Sequence, residues 1–198
     1  MRSAAVISFS GHNSVRDAAD LAYRRVAGQA RQPVFFNDYG VPDTLDGRFE
    51  LICLVAFLYL HRVKAERPQA IRLSQHFFDR MFADFDHSLR EIGIGDLSVG
   101  KHVKRMARAF YGRIRAYERA YEEGLTGSDS VLGAALARNV FGTVSRSGPF
   151  TNMMVDYVRN TVAELRRQSA TELLAGRILF EVPPGLRRGA AARPTGSR

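Results

Sequence analysis

Few of the 198 residues are placed to do chemistry. The five histidines are His12, His61, His76, His87 and His102. His76 and His87 fall on one face of a helix, but about 16 Å apart along its axis, too far to share a metal ion. Asp79, Asp84, Asp86 and Glu91 form an acid-rich run. Helical spacing gives three of these acids a partner four residues away: Arg80 with Asp84, Asp86 with Arg90, and His87 with Glu91. Paired carboxylates for general acid–base work need a pocket, and this run lies on the polar face of a helix. The single cysteine, Cys53, sits inside an apolar run and reads as a small core residue. One cysteine rules out an intrachain disulfide and suits a reducing compartment. Gly93-Ile94-Gly95 lacks the lysine and the preceding strand of a phosphate-binding loop. There is neither a nucleophile elbow nor a His-Glu-x-x-His motif. The residues therefore point to no enzyme, no cofactor and no small-molecule substrate.

The clearest functional pattern is electrostatic. Lys101, Lys104, Arg105, Arg108, Arg115 and Arg119 recur within about 100° of helical arc, opposite an apolar stripe of Val103, Met106, Phe110, Ile114, Tyr117 and Tyr121. Like charges at this spacing repel, and an anion relieves them: RNA phosphates, acidic lipid headgroups or an acidic partner. The alternative is a solvated face partly neutralised by the acids of the preceding helix. No aromatic residue interleaves with the stripe, so base stacking is not expected, and any RNA contact is to backbone. Nothing in the pattern calls for DNA.

The elements that position these residues read as helices throughout. Ser14 to Arg31 is a first amphipathic helix, ended by Pro33. Residues 33–43 read as a loop whose aromatics, Phe35, Phe36 and Tyr39, pack down on the core. A second helix runs from Asp43 or Thr44 to Lys64, with Asp43 as a good N-cap. Its middle, Leu51 to Leu60, is apolar all round, which marks the centre of the fold; ten residues are too few to span a bilayer. In the third helix, Gln69 to Ile92, Ile71, Phe77, Phe78, Met81, Phe82, Phe85, Leu89 and Ile92 share one side. Gly93-Ile94-Gly95 ends it, and Asp96 or Ser98 caps a fourth helix from Val99 to Glu123. Ser128 or Asp129 opens a fifth helix reaching Phe141. Pro149 takes the first position of a sixth, after Ser147-Gly148. Thr171 to Ala175 is a short seventh, and Ile178-Leu179-Phe180 packs as an extended piece.

The expected fold is thus all-α: a single compact domain of about six to seven helices over residues 1–182, with a disordered basic tail over 183–198. The chain carries 29 Lys and Arg against 20 Asp and Glu, formally +9. Arg187, Arg188, Arg193 and Arg198 belong to the tail, so the folded part has only a mild excess, near +5. Met1 to His12 lacks the compact apolar stretch of a signal peptide.

The stretch Met81-Phe82-Ala83-Asp84-Phe85-Asp86-His87-Ser88-Leu89-Arg90-Glu91-Ile92-Gly93-Ile94-Gly95-Asp96-Leu97-Ser98-Val99-Gly100-Lys101 resembles the ubiquinol–cytochrome c chaperone family. So do Val103 to Met106, Phe110 to Arg113, and the upstream Val41-Pro42-Asp43-Thr44-Leu45-Asp46-Gly47-Arg48-Phe49-Glu50. The resemblance covers about residues 30 to 180. It implies an assembly factor of the cytochrome b–cytochrome c complex that holds newly made cytochrome b near the ribosomal exit tunnel, without catalysis or a cofactor of its own. The short N-terminus resembles that of a bacterial member, hence a cytoplasmic protein, peripheral at the inner membrane. In mitochondria the family works with a small partner protein. A client groove is expected between the apolar helices around Leu51–Leu60 and Met153–Val158, with adaptable methionines. The stripe is expected to dock on the ribosome or on anionic lipid. The candidate partner-binding residues are Asp84, Asp86, Arg90, Asp96, Lys101, Lys104, Arg105 and Arg108.

Overall fold

Thr44 starts the central helix. Its hydroxyl accepts a hydrogen bond from the Gly47 amide (3.1 Å), occupying one of the amides that a helix N-terminus leaves without a partner. Asp43, the expected cap, instead binds Arg48 at 2.6 Å. Thr44→Ala is expected to lower the unfolding free energy by about 1 kcal/mol, read by urea denaturation; an unchanged midpoint would remove the cap's role.

The computed structural model describes residues 12–126, 130–142, 148–180 and Pro183. Its helices are α1 (His12–Ala30), α2 (Pro33–Asn37), α3 (Leu45–Val63), α4 (Gln69–Glu91), α5 (Asp96–Thr126), α6 (Ser130–Asn139), α7 (Pro149–Arg167) and α8 (Ala170–Leu174). No strand occurs among the described residues, so the all-α expectation holds. Apart from Pro183, the expected tail lies outside the described residues, as do the expected caps Ser128 and Asp129 and the Ser147 that precedes Gly148.

The helix not expected from sequence is α2. Pro33 both ends α1 and opens a further turn, because a residue at the first helical position needs no amide hydrogen. That turn drives Phe35 into the core, and Tyr39 follows just after it; both are wholly buried against Tyr157. Phe36 is half-buried, with the Arg48 guanidinium over its ring. The aromatics of this segment therefore pack down, as expected.

Leu51 to Tyr59 of α3 are all buried, since α3 is enclosed by α1, α5, α7 and α8. Around this axis α4 packs on α1 and α5, and α6 bridges α5 and α7. Polar ties close the C-terminal end. The Tyr59 hydroxyl donates to the Leu173 carbonyl (2.9 Å), and Arg62 donates to the carbonyls of Leu165 and Gln168 at the end of α7. The Gln168 amide pairs with both backbone groups of Leu179, holding the non-helical segment that buries Ile178.

His61, in the last turn of α3, packs its ring between Phe57 and Tyr121. Its Nδ1 is buried without a hydrogen-bond partner. Burial holds its pKa below the ordinary value; Glu118 and Glu122 act to raise it, Lys64 and Arg166 to lower it further. A neutral form favoured by the fold contributes stability above the ordinary histidine pKa, and loses it as pH falls through the lowered one. Stability is therefore expected to drop between pH 7 and 5, and His61→Phe to flatten that drop. Equal slopes in the two proteins would contradict this.

Candidate functional site

The turn between α4 and α5 is fixed by its glycine. Gly93 takes φ +87°; its amide donates to Arg90 O (2.9 Å) and the Ile94 amide to Leu89 O (3.0 Å), the two bonds of a Schellman motif. Beyond it the Gly95 carbonyl accepts from the amides of Ser98 and Val99. Gly95 therefore holds the cap place expected of Asp96 or Ser98, and both lie inside the first turn of α5. Asp96 still places a negative charge where the helix dipole favours it. Arg90 binds Asp86 (2.6 Å) and Asp96 together, clamping α4 to α5 across the turn.

Asp84 is also a tie. It accepts hydrogen bonds from the Tyr23 hydroxyl (2.7 Å) and Arg31 (3.3 Å), with Arg80 at 3.6 Å, and so fastens α4 to α1. All three i,i+4 pairs expected on α4 are formed. Their formation has a consequence for α5: the acids of α4 are already matched. Among the described residues, no carboxylate lies within ion-pair distance of Lys101, Lys104, Arg105, Arg108 or Arg115, and all five are exposed. The fold therefore does not neutralise the stripe with the preceding helix, the alternative that the sequence left open. Of the eight candidate residues, four act as ties within the scaffold and four stand as free cations.

The expected groove between α3 and α7 is closed. Leu51–Tyr59 and Met154, Val155, Tyr157 and Val158 pack in one core cluster, since a domain of this size needs both helices to close its interior. Open apolar surface lies where the start of α3 meets the end of α4 and the start of α5, and a separate cleft of about 310 Å³ lies at the other end of α4, between Leu60, Ile71, Phe78, Tyr111 and Ile114. Two clefts, of about 390 and 410 Å³, share Leu45, Phe49, Leu89 and Met106 as a common apolar wall. Leu45 and Ile92 are 48% and 59% exposed at the rim.

The floor of the larger cleft holds a contact that sequence reading missed. Glu50 of α3, 7% exposed, receives Arg113 of α5 in a bidentate pair, with the closest contact at 2.6 Å. Burial lifts the Glu50 carboxyl above its ordinary pKa despite this guanidinium. A signal was present: Arg113 falls only about 20° from Met106 around α5, beside the apolar stripe rather than within the basic one. Cys53 is buried and its thiol pushed well up by burial, which leaves it inert. Among the described residues, no group of three His, Cys, Asp or Glu side chains could hold a metal ion.

This arrangement suits grasping an apolar segment beside an anionic surface, and residues 37–180 match the sequence model described as Ubiquinol-cytochrome C chaperone. The chain belongs to the ubiquinol–cytochrome c chaperone family. The crystal structure of the Cbp3 homolog from Brucella abortus resembles it with a TM-score of 0.75 and 38% sequence identity, over 87% of this chain and 93% of that one. Ubiquinol-cytochrome-c reductase complex assembly factor 1 of Xenopus laevis is 27% identical over 140 residues, 71% of this chain and 68% of the relative. The Homo sapiens assembly factor of the same name is 26% identical, with the match covering 46% of its length. The chain thus matches about half the length of the human relative, and the family match takes in residues 37–180. That span contains all of α3 to α8, the helices that form both clefts and the basic stripe.

Proposed function

We propose that this protein is an assembly chaperone of the ubiquinol–cytochrome c reductase complex, and that it holds newly made cytochrome b by an apolar segment laid against Leu45, Phe49, Leu89 and Met106. The observation that carries the reading is the family match over residues 37–180, which contains every one of those side chains. The names of the relatives, as assembly factors of that complex, support the role. The apolar clefts support the mode of binding: an unassembled membrane protein exposes apolar helices, and a groove can take one by its i, i+3, i+4 face. The protein performs no catalysis and needs no cofactor in this role. The unpaired cations of α5 give it a second contact, with the ribosome or an anionic membrane surface, so that it works as a peripheral protein close to where the client is made. No described helix is long and apolar enough to cross a membrane by itself.

Site-specific photo-crosslinking tests the groove. A photoreactive residue at Leu45 or Met106 is expected to capture cytochrome b in cells, and one at Ile71, exposed at the far end of α4, is not. Capture from Ile71 but from neither groove position would relocate the client; no capture from any of the three would remove this reading.

A further inference from the structure

The most exposed large apolar side chain among the described residues is Leu97, at 96%. It stands in the first turn of α5, five residues past Ile92, which is 59% exposed at the end of α4. Taken at about 100° per residue, Leu97, Lys101, Lys104, Arg105 and Arg108 fall within about 100° of one another. Leu97 is therefore the apolar head of the basic face, set on a turn that Gly93 and the Arg90 clamp hold in shape.

From this juxtaposition we propose that the α4–α5 tip is a wedge for an anionic phospholipid bilayer: Leu97 and Ile92 enter the boundary between headgroups and acyl chains, and Lys101, Lys104, Arg105 and Arg108 lie against the phosphates. Charge complementarity selects an anionic surface. The apolar tip selects lipid over RNA, because phosphate backbone gives a leucine in water nothing to bury against, and no stacking aromatic lines the face. The neighbouring acids are tied locally, Asp86 and Asp96 sharing the one charge of Arg90 and Glu91 lying 3.1 Å from His87. The turn itself therefore stays net acidic while His87 is neutral, and the attraction to an anionic surface comes from the four cations beyond it. The wedge borders the client clefts: Ile92 also lines the smaller one and Arg105 the larger, whereas Leu97, Lys101, Lys104 and Arg108 line neither. Docked this way, the protein sets its apolar clefts next to a bilayer.

The absence of tryptophan makes a direct test simple. In the full chain, Leu97→Trp introduces a single reporter at a side chain that packs on nothing, so folding is preserved. With vesicles of phosphatidylglycerol and phosphatidylcholine, its emission is expected to shift to the blue and to be quenched by brominated acyl chains. Pure phosphatidylcholine should give neither effect. Ile71→Trp, about 30 Å along α4 from the tip, should stay unshifted. Lys101→Gln with Lys104→Gln should weaken binding to the anionic vesicles roughly thirtyfold, and raised salt should do the same. Vesicle binding by the Leu97→Trp protein with its indole still in water would overturn the wedge. So would failure to bind vesicles while the protein pellets with ribosomes through the same cations, or a blue shift without lipid that grows with protein concentration, which would mark the tip as a contact between copies.

Discussion

Gly176→Ala should destabilise the protein by about 2–5 kcal/mol, taken as the sum of a left-handed backbone strain and forced overpacking. Gly176 follows α8 with φ +75°, a conformation that costs an alanine. A methyl group there would also meet the backbone of α1, 2.2 Å from the Ala18 carbonyl oxygen and 2.9 Å from the Ala22 nitrogen. Both are main-chain atoms inside a helix, so no side chain can swing aside. Either α8 lifts away, pulling on the Tyr59–Leu173 hydrogen bond, or α1 shifts against α3 and α4. The loss corresponds to a melting temperature lower by about 10 °C for a chain of this length. Gly28→Ala is the matched control, since the added methyl group would find nothing within 4 Å. Equal melting temperatures for Gly176→Ala and the unsubstituted protein would show that the turn after α8 does not seat on α1 this closely.

The second large effect is expected at Glu50 and Arg113. Removing the guanidinium with Arg113→Ala leaves a buried carboxylate without its counter-charge, which costs about 3 kcal/mol. The low end of the range applies because the Arg113 side chain is 32% exposed and water screens part of the pair. The pH dependence has a definite sign. Burial already raises the Glu50 pKa, and losing Arg113 raises it further. A carboxyl with a raised pKa in the fold favours folding when protonated, and that benefit disappears as pH rises through the raised value. The penalty of Arg113→Ala should therefore shrink as pH falls from 7 toward 5. Joining Arg113→Met to Glu50→Leu should recover most of the stability, because two apolar side chains of similar volume suit a buried site as well as an ion pair. A penalty that is the same at every pH would argue against a stranded carboxylate as its cause.

The residues that sequence made legible, and those it did not, divide along physical lines. Local periodicity was enough for α3, α4, α5 and α7: the all-apolar Leu51–Leu60 run is indeed the axis of the fold, and Pro149 does open α7. The i,i+4 pairs of α4 were equally visible, because both partners lie within one helical turn. Contacts between elements were not. The Tyr23–Asp84 bond joins residues 61 apart and Glu50–Arg113 residues 63 apart, separations over which periodicity carries no information. The misplaced groove has the same origin. An apolar helix face reads alike whether it meets a neighbour or a client, and only tertiary packing shows that α3 and α7 close on each other while Leu45 and Ile92 stay open. Asp43 and Thr44 were both reasonable caps; a nearby Arg48 drew Asp43 away and left the amide of Gly47 to Thr44.

The free cations show how such a local reading can mislead about function as well. From sequence, partial balance of the basic face of α5 by the acids of α4 stood as one of two alternatives, although three i,i+4 pairs were already expected on α4. In the fold Asp84 turns to Tyr23, Arg31 and Arg80, and Asp86 to Arg90. Lys101, Lys104, Arg105, Arg108 and Arg115 of α5 are left without an ion-pair partner among the described residues, while Arg113 and Arg119 are paired, and it is these five cations that support the proposed docking role.

The most direct measurement is the amount of assembled ubiquinol–cytochrome c reductase complex in cells that lack this protein, set beside cells in which Leu45 and Met106 are both replaced by aspartate. Both strains are expected to lose that complex selectively, with other respiratory membrane complexes at normal levels and the double variant still folded. Normal levels of the complex in the deletion strain would contradict the role, and normal levels in the double variant alone would contradict the groove.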